Sequence, residues 1–268
     1  MDNRPIGVFD SGLGGLCAVK QLRTLLPKEN IVYLGDTGRI PYGTRSKETI
    51  NKYAVQDINF LLKHNVKMII AACGTVSANI TEENINSLPV PYTGVLLPLA
   101  KRSTEITKNN KIGVIATTAS IKSRGFEKTI KTINPSAEVI GVPCPLFVHL
   151  VENGLIEDGN KITELTARMY LEPLKKQNPD TLILGCTHFP LIYNAIRKVM
   201  GEEVELIDPG QETAKYVKNL LADSDSLGDN ENPTIKYFVT DGIDSFNDTA
   251  NIFLGGDIGG EVSLVRID

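Results

Sequence analysis

Residues 69–79 read IIAACGTVSAN, and residues 182–190 read LILGCTHFP. In both, an apolar run stops at a cysteine and turns polar at once: Cys73 meets Gly74 and Thr75, and Cys186 meets Thr187. A short β-branched run with no polar alternation reads as a strand buried on both faces, the mark of a parallel sheet. Helix-starting residues follow each cysteine, Thr75 and Ser77 in one case and Thr187 and Pro190 in the other. Each thiol is thereby expected at the carboxyl end of a parallel strand, the edge where open α/β sheets bind ligands.

Outward from these two segments the alternation continues. IGVF, NIVYLG, YTGVLL, KIGVIAT, EVIGVP, EVELID and IKYFVT read as strands. Between them GLCAVKQLRTLLP, KETINKYAVQDINFLLKHN and KITELTARMYLEPLKKQ space apolar residues three and four apart, as helices do. The order of strand ends repeats. IGVFDSG from residue 6, IVYLGD from 31 and IIAACGT from 69 are echoed by IGVIATT from 112, EVIGVPC from 138 and LILGCTH from 182. The expected fold is α/β: two similar α/β domains with mostly parallel central sheets and the active site in the cleft between them. The boundaries expected are 1–96 completed by the C-terminal segment 211–268, and 97–210. A polar loop at 222–233 leads to a strand–cap–helix tail that by sequence alone could join either domain.

The 268 residues carry 28 basic and 32 acidic side chains, a net charge of −4 with no basic block. That balance offers no footprint for nucleic acid or an anionic membrane. GVLLPLA is too short for a membrane span and contains a proline. No signal-like start is present, so a soluble, cytoplasmic protein is expected. Four cysteines without a C-x-x-C pair, in a chain large enough for its own core, are expected to be free thiols.

A lone strand-end cysteine reads as a small hydrophobe. Two at matching places in a repeat, each beside a threonine, read as a pair with a task. At a helix N-terminus the backbone N–H groups and helix dipole favour the thiolate. One nucleophile suffices for acyl transfer, whereas two opposed thiols suit inversion of a carbon centre, one removing a proton and the other returning one. Cys17, on an apolar helix face, and Cys144, between prolines, keep the packing reading. Asp10 and Ser11 end the first strand and open a glycine-rich turn that lacks the third glycine of a dinucleotide fingerprint. That turn offers hydroxyls and N–H groups to an anion, besides capping a helix. Asp36, Tyr42 and Gly43 lie in a second strand-end loop, GDTGRIPYG, equally readable as a plain turn. His188, two residues after Cys186, could assist proton transfer, and no spacing around it completes a metal site. Glu152 ends an amphipathic stretch and by itself reads as a solvated cap.

Together IGVFDSGLGGL, YLGDTGRIPYG, AACGTVSAN, PLFVHLVENG and LGCTHFPL resemble the motifs of the glutamate racemase family, in its order and at its spacing. The resemblance implies a cofactor-independent enzyme that interconverts L- and D-glutamate and supplies D-glutamate for peptidoglycan. It implies no metal, no pyridoxal phosphate and a homodimer. It assigns Cys73 to D-glutamate and Cys186 to L-glutamate, with Asp10 and His188 as auxiliary catalytic groups. Asp10, Ser11, Tyr42, Gly43, Gly74, Thr75, Thr187 and His188 match substrate-binding positions, and Asp36 and Glu152 match peripheral acidic ones. One departure stands out: the family usually reads Cys-Asn-Thr where this chain has Cys73-Gly74-Thr75. Glycine lacks the side-chain amide, and a lost buried hydrogen bond typically costs about 1–3 kcal/mol unless water replaces it. The alternatives are a racemase of another acidic amino acid such as aspartate, or a binding protein of the same fold without turnover.

Overall fold

The computed structural model describes residues 1–256 and 258–267; Asp257 and Asp268, both within the 211–268 segment, lie outside the described residues. Among the described residues the strands are β1 (Ile6–Asp10), β2 (Ile31–Gly35), β3 (Met68–Ala71), β4 (Tyr92–Gly94), β5 (Lys111–Ala116), β6 (Glu138–Pro143), β7 (Thr181–Leu184), β8 (Glu205–Ile207), β9 (Ile235–Val239) and β10 (Glu261–Leu264). They form two sheets, ordered β10-β9-β2-β1-β3-β4 and β6-β5-β7-β8. Every pairing is parallel. The order β2-β1-β3-β4 recurs as β6-β5-β7-β8, so the repeat legible at the strand ends is a repeat of topology.

Helices cover both faces of the first sheet, which is why its central strands show no polar alternation. Ile6 and Val8 of β1 point into one apolar cluster with Ile31, Tyr33, Met68 and Ile70. Phe9 points into a second with Val32, Leu34, Ile69 and Ala71. Successive side chains leave a strand on opposite sides, and here both sides are buried. The first cluster runs on into the second sheet through Ile115, Leu182 and Leu184, so one core joins the two halves. The tail returns to the first sheet, where β9 pairs with β2. A buried ion pair clamps it from below. Lys67 meets Glu29 at 2.5 Å and the Ser226 carbonyl at 2.7 Å, while Glu29 accepts from Gly228 N.

Two local expectations are corrected. YTGVLL is strand only to Gly94, because Ser77 Oγ accepts from Val95 N and a helix begins at Leu96. After Cys186 the chain does not enter an α-helix directly: a 3-10 turn, Phe189–Ile192, intervenes before the helix Tyr193–Met200. Among the described residues no helix is long and apolar enough to cross a membrane.

Candidate active site

The carboxyl ends of β1, β3, β5 and β7 converge on one cavity of about 160 Å³. Its walls include Asp10, Ser11, Tyr42, Gly43, Cys73, Gly74, Thr75, Glu152, Cys186, Thr187 and His188. Of the positions singled out in the sequence, only Asp36 is not in the lining.

Cys73 ends the run after β3 and caps the helix Gly74–Asn79. Its Sγ lies 3.3 Å from Ser11 Oγ, and that hydroxyl is 3.0 Å from Asp10 Oδ1. The helix N-terminus does not make this thiol acidic. Burial and the nearby Asp10 charge push Cys73 up to about 12, outweighing the hydrogen bonds from Ser11 and Val76 that favour the thiolate. Asp10 also reaches across to the second half, accepting from Thr187 Oγ1 at 3.2 Å. A second crossing joins Thr75 to Thr117, their hydroxyls 3.0 Å apart.

Cys186 has different neighbours. Its Sγ lies 3.6 Å from His188 Nδ1, and His188 Nε2 lies 3.3 Å from Glu152 Oε1. Burial opposes a charge on His188, but the contacts to Cys186 and Glu152 prevail and raise it to about 10. Near neutrality His188 therefore carries a positive charge. Among the described residues no lysine or arginine lines the cavity, so negative groups on a ligand must otherwise meet imidazole, hydroxyls and backbone N–H groups. All four cysteines are free, and burial first of all holds Cys17 and Cys144 well above the usual thiol range.

Asp36 stands fully buried behind Tyr42. The Tyr42 hydroxyl donates to Asp36 and lies 3.2 Å from Asp57 Oδ2. Arg39 binds Asp36 at 2.6 Å and Asp57 at 2.9 Å, and Thr240 donates to Asp36 at 2.8 Å. Asp36 thus holds the shape of the loop that carries Tyr42 and Gly43. Several lining residues were missed in the sequence, among them Thr117, Thr118 and His149. The signal for the threonines was the repeat itself, since they follow β5 where Ser11 and Gly12 follow β1. His149 had no comparable signal.

The Asp/Glu/Hydantoin racemase family model matches residues 17–217. A glutamate racemase from Geobacter metallireducens is 42% identical over 257 residues, covering 96% of this chain and 94% of the relative. Two solved structures superpose over nearly the whole length. A glutamate racemase isoform from Bacillus anthracis gives a TM-score of 0.94 at 37% identity, covering 99% of this chain and 98% of its own. The Francisella tularensis glutamate racemase, crystallised with D-glutamate, gives 0.92 at 40% identity, covering 100% and 99%. With this coverage and identity, the chain belongs to the Asp/Glu/hydantoin racemase family, in its glutamate racemase branch.

Proposed function

We propose that the chain interconverts L- and D-glutamate without a cofactor, by proton transfer between two thiols across the substrate Cα, and that it supplies D-glutamate for peptidoglycan synthesis. The observation that carries this reading is one small cavity lined by a cysteine from each half of a repeated fold. In the D-to-L direction the Cys73 thiolate removes the Cα proton. The carbanionic carbon then flattens, and the Cys186 thiol delivers its proton to the opposite face. One proton has moved from Cys186 to substrate and one from substrate to Cys73, leaving a Cys186 thiolate ready for the reverse passage. Asp10, which accepts from the Thr187 hydroxyl, is proposed to receive the substrate ammonium. Bringing that positive charge near Cys73 would favour its thiolate. Ser11, Tyr42, Thr75 and Thr187, with the N–H groups of Gly43 and Gly74, are the groups proposed to hold the two carboxylates. His188, charged near neutrality, is proposed to stabilise the Cys186 thiolate, with Glu152 as its outer partner.

The test is to incubate the protein with L-glutamate or L-aspartate in D₂O and follow the Cα proton by NMR and the optical activity of the product. Glutamate should lose its Cα proton and lose optical activity. Exchange of neither amino acid would sink the enzyme reading, and exchange of aspartate alone would move the substrate.

A further inference from the structure

The two strand ends that carry the thiols meet with no side chain between them. A Cβ built on Gly74 lands inside 3.0 Å of the Gly185 carbonyl oxygen, a separation real Cβ atoms essentially never show, and 3.2 Å from the carbonyl carbon. The obstacle is backbone and cannot rotate away. Gly185 N donates to Ile115 O at 2.7 Å, which ties that strand end to β5. A Cβ on Gly185 itself would lie 2.8 Å from the same Ile115 oxygen. Gly74 opens a right-handed helix, a conformation any residue adopts and in which alanine is favoured. Space, not backbone conformation, requires the glycine. The expected gap left by a missing asparagine is therefore absent: the opposite strand end fills it.

The same pattern recurs where the halves meet elsewhere. A Cβ on Gly43 would lie 3.1 Å from Thr117 Cβ, and one on Gly125 would lie 2.8 Å from the Ala78 carbonyl oxygen. A Cβ on Gly14 would overlap the Thr187 hydroxyl.

We propose that Gly74 is a positioning residue for the proton transfer: its bare backbone lets the Cys186 strand end seat against the Cys73 strand end and sets the spacing of the thiols. This inference rests on the two-thiol reading above. A methyl group at position 74 forces a retreat of about 1 Å, and a misplacement of that size costs on the order of 100-fold in rate. The Gly74 N–H is unchanged by such a substitution, so the loss falls on kcat more than on KM. Gly74→Asn, which restores the family's usual Cys-Asn-Thr, lowers kcat further instead of improving it.

The experiment compares wild type, Gly74→Ala, Gly74→Asn and Gly125→Ala, with folding checked by far-UV circular dichroism. Inversion and deuterium wash-in at Cα are measured side by side. Gly74→Ala should lose kcat on the order of 100-fold, Gly74→Asn more, and Gly125→Ala less. In each, exchange without inversion should rise relative to inversion, because a proton lifted by one displaced system is replaced from the same face. A protein that is only less stable loses both in step, leaving the ratio unmoved. Wild-type kcat in Gly74→Ala, or a gain in Gly74→Asn, overturns the proposal. If Gly74→Ala does not fold, Gly125→Ala opens the same seam from outside the cavity, and an unmoved ratio there overturns it. Failure of the two-thiol reading shows separately, as unimpaired inversion by Cys73→Ser or Cys186→Ser.

Discussion

Cys73 and Cys186 follow equivalent strands of a repeated sheet, yet their neighbours differ in kind. Cys73 caps an α-helix and faces a neutral hydroxyl backed by a carboxylate. Cys186 precedes a 3-10 turn and faces an imidazole backed by a carboxylate. The first arrangement keeps the thiol protonated, and the second places a positive charge beside the sulfur. A duplicated fold relates its halves by rotation, whereas two enantiomers are related by reflection, which no chain of L-residues can supply. Duplication can therefore place two thiols across a carbon, but it cannot give them equivalent surroundings. Each must be tuned separately, through neighbours that the repeat does not share.

The largest effect should come from removing either thiol. Cys73→Ser and Cys186→Ser should each lower inversion by roughly 10³-fold or more, while Cys17→Ser and Cys144→Ser, altered outside the cavity, should keep turning over. The equilibrium constant between enantiomers is unity, so kcat/KM falls equally in both directions whichever thiol is lost. Asymmetry can appear only in exchange. Cys186→Ser should still wash deuterium into D-glutamate, and Cys73→Ser into L-glutamate. Exchange of the wrong enantiomer by either variant would reverse the assignment of the thiols. In Cys186→Ser the remaining base is Cys73, whose pKa burial and the Asp10 charge raise to about 12. The thiolate is the active form, so kcat/KM for exchange should climb about tenfold per pH unit from neutrality. A plateau near the ordinary thiol value of about 8.5 would show that burial does not control this group.

The next effect sharpens the contrast from the other side. His188→Asn removes a charged partner from Cys186 and leaves Cys73 and Ser11 untouched. Loss of a charge-assisted hydrogen bond, worth about 1.5–3 kcal/mol, predicts a fall of about 10- to 100-fold in kcat. Exchange of L-glutamate in the double variant with Cys73→Ser should fall by a similar factor, and exchange of D-glutamate with Cys186→Ser far less. Equal losses in both backgrounds would mean that His188 serves the cavity as a whole.

What could be read in the chain divides along the same line. Buried parallel strands lack polar alternation, and cysteines at their ends stand out, so the two sheets and the thiol pair were legible. The repeat also carried Thr117 and Thr118, since the echo of IGVFDSG by IGVIATT sets them opposite Ser11 and Gly12. Surroundings were less legible because they are made across the fold. The contact of Gly74 with Gly185 joins residues 111 apart in the chain, and neither shows a side chain to interpret. Asp36 is peripheral by the family resemblance, and its loop reads equally as a plain turn, so nothing in the sequence shows what surrounds it. Here Tyr42 and Thr240 close over it. Asp57 did leave a trace: in the helix Lys47–Leu62 it falls among Ile50, Ala54, Ile58 and Leu61 on the buried face. A carboxylate at core spacing asks for partners, and Arg39 and Tyr42 are those partners.

The smallest effect belongs to that carboxylate and marks where the first half's special chemistry ends. Asp36 and Asp57 share one guanidinium, and the Tyr42 hydroxyl has one proton for two carboxylates. Burial, and then the Asp36 charge, push Asp57 well above the usual carboxylate range despite Arg39. The shift favours the neutral acid at Asp57, a form whose own proton would complete the contact to Tyr42. Asp57→Asn mimics that form, keeping an oxygen for Arg39 and an N–H for Tyr42. It should change kcat and KM by no more than about 2-fold. An acid whose pKa is raised by folding costs stability once the pH exceeds its ordinary value of about 3.9. Wild type should therefore melt below Asp57→Asn at neutral pH, with the difference shrinking as the pH falls towards 4. Asp36→Asn has no such excuse, since it strips the charge that Arg39, Tyr42 and Thr240 all converge on, and its KM should rise about tenfold. If Asp57→Asn damaged KM as much as Asp36→Asn, both carboxylates would be ionised partners of Arg39, and the loop behind Tyr42 would rest on charge rather than on a shared proton.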